Sequence, residues 1–152
     1  MNKQIEIIRK TRSYLLENII DLTPDQLNKI PEGFNNNIIW NLGHMIATQQ
    51  GICYKRAGLA TTMISDDFWE RFRSGSKPEG VVSAAEIEHI KQLLFTTLDK
   101  LEADYSENSF TGYTAWTTRY AVEIINIDDA ISFVPFHEGL HSGTIGTMKK
   151  LI

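Results

Sequence analysis

The chain has 152 residues, of which 42% are hydrophobic and 22% charged, and its formal net charge is −4. This composition is typical of a globular protein, and the length predicts a single domain over residues 1–152. No run of lysines and arginines is long enough to follow a phosphate backbone, which argues against nucleic acid as a partner.

Three helical segments are predicted in the first half of the chain. Apolar residues at helical spacing predict the first helix over residues 2–20. A short helix follows, with Thr23 as its N-cap, Pro24 at its first position and Gln26 at its third. A second long helix is predicted over residues 36–57, where a glycine ends the pattern.

The middle of the chain contains one short and one long helical segment. Ser65 is expected to start a short helix that ends near Phe72. A capping box formed by Ser83 and Glu86 predicts the start of the third long helix, which extends to about residue 104. Residues 105–126 are rich in threonine and aromatic residues, so part of this segment is expected to be extended.

The fourth long helix is predicted from Asn126 or Asp128 to the end of the chain, with a kink at Pro135. Projected at about 100° per residue, its apolar side comprises Ala130, Phe133, Val134, Phe136, Leu140, Ile145, Met148, Leu151 and Ile152. In the middle of that side lie His137 and His141, one helical turn apart. Glu138 falls at the edge of the opposite, polar side.

Two buried imidazoles on one helix need polar partners, since an unpaired buried polar group costs roughly 2–7 kcal/mol. The spacing of His137 and His141 lets both rings reach one metal ion. Hydroxyls, carbonyls or water would satisfy them equally well. A third ligand close to the pair would favour a metal site over two hydrogen-bonded core histidines, because catalytic zinc sites use three protein ligands and keep one position open.

The other two histidines are the candidates for that third ligand. His89 projects away from the apolar stripe of its helix and is expected to be solvated. His44 shares a side of the second long helix with Asn41 and Thr48. That side could face bulk water or line a wet pocket, and periodicity alone slightly favours water.

Other features have ordinary structural explanations. Cys53 is the only cysteine, which excludes an intramolecular disulfide and fits a reducing compartment. It lies on the apolar face of its helix and is expected to be a core residue. The amino terminus lacks the features of a signal peptide, and no apolar run approaches the roughly 20 residues of a membrane span. We therefore expect a cytoplasmic protein without a membrane partner.

Together the segments predict an all-α fold, a four-helix bundle with long inter-helix connections. Bundle connections usually have about 2–8 residues, and longer ones often carry site residues. The aromatic and basic residues of these connections that could shape a pocket are Phe68, Trp69, Tyr113, Trp116 and Arg119. Within the helices, Asn41, Thr48 and Glu138 are further candidates for polar groups near a site, and no side chain stands out as a catalytic acid or base.

Several motifs, taken in their order along the chain, resemble the DinB-like (DinB/YfiT-like) superfamily. The first is residues 22–27, LTPDQL, followed by residues 30–33, IPEG. Next come residues 37–44, NIIWNLGH, and much later residues 136–143, FHEGLHSG. The resemblance covers nearly the whole chain. It implies a four-helix bundle that binds a divalent metal ion.

The family's three histidine ligands map onto His44, His137 and His141 of this sequence. The resemblance therefore implies a divalent metal cofactor, with zinc or nickel expected first and iron or manganese as alternatives. Three neutral imidazoles leave the charge of the ion at +2, so an open position could activate water or a thiolate.

Relatives of this kind include thiol-dependent transferases, so a metal-dependent S-transferase or a hydrolase-like enzyme is expected. Its expected partners are a small-molecule substrate, with or without a low-molecular-weight bacterial thiol. The alternative is a helical bundle that binds a metal or small ligand without catalysis. A third interpretation is an interaction module without a metal. A homodimer is expected, because members of the family often pair through their helices.

Overall fold

A computed structural model describes residues 2–152 and shows a mostly helical chain. The six α-helices are α1 (Lys3–Asn18), α2 (Pro24–Asn28), α3 (Ile38–Gln50), α4 (Asp66–Phe72), α5 (Ala84–Ser106) and α6 (Ile127–Lys149). Two short strands, β1 (Trp116–Thr117) and β2 (Glu123–Ile124), pair antiparallel. Over the described residues, no helix has both the length and the apolar character needed to cross a lipid bilayer.

The predicted starts of the short helices are confirmed by their capping contacts. Thr23 accepts from the backbone of Gln26, whose side chain returns to the backbone of Thr23. Ser65 caps α4. The capping box predicted at Ser83 is half wrong, because the Glu86 carboxylate instead lies 2.5 Å from Arg71. The side chain of Glu86 therefore ties α5 to α4.

The end of the second long helix differs from the prediction. The α-helical pattern stops at Gln50, and a π-helical turn, Gly51–Lys55, continues the chain. The backbone N–H of Arg56 donates to the carbonyl of Gly51 at 3.1 Å, an i to i+5 bond. The wider turn rotates the following side chains relative to an α-helix, and such insertions are frequent at functional sites.

The four long helices pack around a shared interior. Helix α1 lies against α5 and α6, and α3 also lies against α5 and α6. Every residue of α3 except Thr48 is buried, which makes it the most enclosed element among residues 2–152. Helix α4 packs across α3. A site residue carried by α3 is consequently held on this enclosed helix.

The buried face of α6 is rotated from the predicted one. Phe136, Leu140 and Leu151 are 48%, 45% and 53% exposed, which makes their predicted burial wrong. Ile131 and Glu138 are buried instead. The reason is that α6 separates two environments. One side packs on α1 and α3, while a neighbouring apolar side borders an open pocket, and residue type alone does not distinguish them.

The segment between α5 and α6 closes one end of the molecule. As expected, it is extended in part, although the hairpin has only two residues per strand. It is fastened to the π-helical turn by two bonds. The hydroxyl of Tyr113 donates to the carbonyl of Ile52 at 2.8 Å, and the N–H of Thr114 donates to the carbonyl of Arg56 at 2.7 Å. The segment and the turn thus form one wall.

Candidate metal site

Three histidines from two helices meet beside the packed interior. His44 comes from α3, and His137 and His141 come from α6. One ring nitrogen of each lies within 4.8 Å of the corresponding nitrogens of the other two. His89 is exposed on α5, as predicted. The structure therefore groups the three histidines that the family resemblance selected, whereas periodicity had slightly favoured a solvated His44.

The ring of His44 is held in one tautomer. Its Nδ1 lies 2.7 Å from the backbone carbonyl of Phe72. Because a carbonyl only accepts hydrogen bonds, Nδ1 carries the proton and Nε2 carries the lone pair. Trp40 stacks on the ring at 4.7 Å with an interplanar angle of 9°. The hydroxyl of Thr48 lies 3.3 Å from Nε2 and is placed to donate to it.

A similar constraint fixes His141. The amide nitrogen of Asn41 donates to the carbonyl of Asn37 at 2.8 Å and to the side-chain oxygen of Asn36 at 3.0 Å. The amide oxygen of Asn41 therefore faces His141 and accepts from its Nδ1 at 2.7 Å. This leaves the Nε2 lone pair of His141 free. His137 makes no hydrogen bond to any residue that the structure describes.

All three rings are held in their neutral form. Burial and the neighbouring rings lower the pKa of His137 to about 3, with smaller contributions from Arg119 and Arg12. Burial and His44 lower the pKa of His141 to about 4. The pKa of His44 is lowered mainly by burial. At neutral pH the cluster therefore offers uncharged nitrogen donors, the form that binds metals.

The histidines border an open pocket of about 650 Å³. Its walls come from α3, the π-helical turn, the end of α4 with the residues after it, the hairpin segment and α6. Of the connection residues expected at a pocket, Trp69, Trp116 and Arg119 line it. Phe68 packs in the core instead, and Tyr113 packs behind the wall.

This arrangement fits a divalent metal ion held by three protein ligands. The donors are neutral imidazole nitrogens, and the second nitrogen of two rings is engaged by an oxygen acceptor, as is usual for metal-binding histidines. The side of the cluster facing the pocket leaves room for a further ligand, as in catalytic rather than structural sites.

The sequence profile of the DinB superfamily matches residues 7–145. The chain belongs to the DinB superfamily. The family resemblance of the motifs is thereby confirmed, and the matched residues span the positions of all three histidines. No curated protein matches the chain.

In this DinB protein, the orientation of His44 depends on a close approach of α4 to α3. A Cβ atom on Gly43 would lie 2.4 Å from the ring of Phe72, and one on Gly51 would lie 2.5 Å from the ring of Trp69. Only glycine leaves room for these two aromatic rings. The contact at Gly43 brings the carbonyl of Phe72 to the neighbouring His44.

We expect Gly43→Ala to lower the free energy of unfolding by about 1–3 kcal/mol, because the added methyl group overpacks a filled contact. Denaturant unfolding measures this change. The matched control is Gly146→Ala on α6, where an added Cβ meets no atom within 4 Å. That change should leave stability equal or raise it by up to about 1 kcal/mol. Equal effects of both variants would contradict the close-packing explanation.

A buried ion pair that was not predicted from the sequence lies behind the histidines. Arg12 and Glu138 are both 0% exposed, and the Nε atom of Arg12 lies 2.9 and 3.1 Å from the two carboxylate oxygens. Arg12 also donates to the carbonyl of Leu94 and contacts Thr97 and Gln49. Burial raises the pKa of the Glu138 carboxyl, and the guanidinium opposes that shift.

The position of Arg12 carried a signal that could have revealed this pair. Ile5, Ile8, Arg12 and Leu15 share one face of α1 at spacings of three and four residues. An arginine inside such a stripe requires a buried partner. Glu138 follows His137 directly, so the pair fixes α6 against α1 at the level of the histidines.

Cys53 is a core residue of this DinB chain, as predicted. Its side chain is fully buried, and burial raises the pKa of its thiol to about 12. A thiol with such a pKa is protonated at neutral pH, and Cys53 does not line the pocket beside the histidines.

Proposed function

We propose that this DinB-superfamily protein is a divalent-metal-dependent enzyme in which His44, His137 and His141 hold the ion. The observation that carries the proposal is the position of the cluster, which combines three neutral donors with an open pocket of about 650 Å³. We also propose that the four long helices form the four-helix bundle of the family. Their mutual packing supports this view.

The chain's own residues supply the orientation and the enclosure of the site. The carbonyl of Phe72 and the amide of Asn41 direct two ring nitrogens toward the centre of the cluster. Trp40 covers one face of His44 and shields it from water. When bound, a divalent ion would supply Lewis acidity that lowers the pKa of water or stabilises a thiolate.

The nucleophile of the proposed reaction comes from outside the chain. Cys53 is the only thiol, and it is buried and protonated. Among the described residues that line the pocket, no carboxylate is present to act as a base. This leaves a low-molecular-weight thiol or water, and hence S-transfer to a small electrophile or a hydrolysis. Zinc and nickel both suit an all-imidazole donor set, and iron or manganese are alternatives.

A non-catalytic metal- or ligand-binding protein is the second candidate. It is favoured by the absence of an acidic side chain from the part of the pocket wall that the structure describes. The size of the pocket favours the enzyme, because a site that only stores or senses an ion needs no space for a substrate.

Metal-dependent conjugation tests the proposed function directly. Bacillithiol, mycothiol, glutathione and coenzyme A would each be offered with a chromogenic aryl halide. The thiolate sulfur forms a bond to the ring carbon, chloride leaves, and solvent takes the thiol proton. Ester and amide hydrolysis would be assayed in parallel. Turnover that disappears on chelation and in His137→Ala, but not in His89→Ala, supports the enzyme. Turnover that survives chelation contradicts it.

Asn41→Leu is expected to reduce metal affinity by about 10–100-fold, the usual effect of losing a partner that orients a histidine ligand. The change removes the acceptor for Nδ1 of His141 while retaining the volume of the side chain. Competition with a chromogenic chelator measures the dissociation constant. Thr48→Val is the comparison, since Thr48 contacts His44 only at the nitrogen that faces the cluster. An unchanged affinity in Asn41→Leu would show that the amide does not orient the ligand.

A further inference from the structure

The pocket beside the histidines carries the opposite charge to the chain as a whole. The net charge of the protein is −4, with 19 acidic and 15 basic residues. Yet Lys55, Arg56, Arg73 and Arg119 line the pocket, and no aspartate or glutamate of the described chain does. A pocket wall whose charged side chains are all positive favours a negatively charged occupant.

Most arginines of this protein already have a carboxylate partner. Arg9, Arg12, Arg71 and Arg73 each lie within 4 Å of an acidic side chain. The remaining two of the six arginines, Arg56 and Arg119, make no such ion pair within residues 2–152, and both line the pocket. The two arginines left without an internal anion are thus in the same cavity.

The surrounding structure holds Arg56 and Lys55 at the pocket wall. The guanidinium of Arg56 lies 5.2 Å from the ring centroid of Trp116, and the ammonium of Lys55 lies 4.4 Å from that of Trp69. Lys55 is the last residue of the π-helical turn and Arg56 follows it, and the carbonyls of Ile52 and Arg56 accept hydrogen bonds from the hairpin segment. Such cation–π contacts restrict a side chain without neutralising its charge.

Arg119 connects the cationic wall to the histidines. It lines the same pocket as His44, His137 and His141. A molecule that occupies this pocket can therefore contact Arg119 with one end and the histidine cluster with the other.

We propose that the pocket binds a small organic anion, with Arg56 and Arg119 pairing with its carboxylate or phosphate group and Lys55 adding charge beside them. This inference rests on the proposed function, because it assigns the charge of the substrate or thiol that occupies the pocket. The planar guanidinium group suits both kinds of oxyanion, since it donates two parallel hydrogen bonds. The anionic end lies at the arginines, and the reacting end points toward the histidines.

Tryptophan fluorescence tests the proposal, because Trp116 and Trp69 contact the cations concerned. The full-length protein is titrated at low ionic strength with succinate, inorganic phosphate and the neutral analogue succinamide. Each titration is repeated after chelation, so that binding by the arginines is separated from binding by a metal. We expect saturable binding of succinate or phosphate in both states and none of succinamide. The anion with the lower dissociation constant shows whether the pocket prefers a carboxylate or a phosphate group.

Charge-neutralising variants assign the binding to residues. Arg56→Gln and Arg119→Gln should each weaken anion binding by about tenfold or more, the usual effect of losing a charge-assisted hydrogen bond. Lys29→Gln, an exposed change of the same charge, should have no effect. Zinc affinity should be retained in all three variants, which shows that they fold and separates this test from that of the metal site. Absence of saturable anion binding, or equal weakening in Lys29→Gln, would overturn the proposal.

Discussion

Glu138→Ala is expected to lower the free energy of unfolding by about 3–5 kcal/mol, because it leaves the guanidinium of Arg12 buried without a counter-charge. Both side chains are 0% exposed, so water cannot replace the missing carboxylate. This is a large fraction of the roughly 5–15 kcal/mol that stabilises a typical domain. Urea unfolding followed by circular dichroism measures it.

The exposed pair between Arg73 and Glu70 provides the control. Glu70→Ala should change stability by less than about 1 kcal/mol, since solvent screens the pair. In the double variant Arg12→Met with Glu138→Leu, an apolar contact replaces both charges and should recover much of the loss. A loss below about 1 kcal/mol in Glu138→Ala would show that the buried charge is satisfied in another way.

Metal binding is expected to stabilise the fold by mass action, by about 2.7 kcal/mol when the free ion is at a hundred times its dissociation constant. The gain arises because the unfolded chain does not bring His44 together with the two histidines of α6. Thermal melts with zinc, with nickel and with a chelator measure it. His141→Ala should lose most of the gain, because only two of the three donors remain.

His89→Ala is the matched control for that experiment. His89 is a histidine on the exposed surface of α5, so its removal should leave the metal-dependent gain unchanged. An equal response to metal in the wild-type protein and in His141→Ala would place the binding site elsewhere on the chain.

The starts of the short helices were the most predictable part of the structure, because their signals are local. Thr23 and Ser65 cap their helices through side-chain contacts within three residues. The π-helical turn after Gln50 was not predictable in this way. The turn and the residue after it accept hydrogen bonds from Tyr113 and Thr114, which lie about sixty residues further along the chain.

The site was only partly predictable, because its polar residues lie inside the molecule. His44 shares a face of its helix with Asn41 and Thr48. Because a polar face of this kind is usually exposed to solvent, helical periodicity predicts a solvated His44. In the structure this face instead borders the pocket and contacts His141 of α6, and the family motif, unlike periodicity, indicated that His44 lies beside the other two histidines. The apolar side of α6 was misplaced for the same reason, since Leu140 lines the pocket and Phe136 packs on Tyr120 rather than in the core. Glu138 is buried because Arg12 meets it from a distant helix.

Metal content of the untagged protein is the most direct test of the central claim. Elemental analysis after purification without chelators, followed by zinc titration, should give one divalent ion per chain. Tight zinc binding should be lost in each of the variants His44→Ala, His137→Ala and His141→Ala, and it should be retained in His89→Ala. Absence of tight binding in the wild-type protein, or full retention after loss of any one of the three histidines, would contradict the proposed metal site.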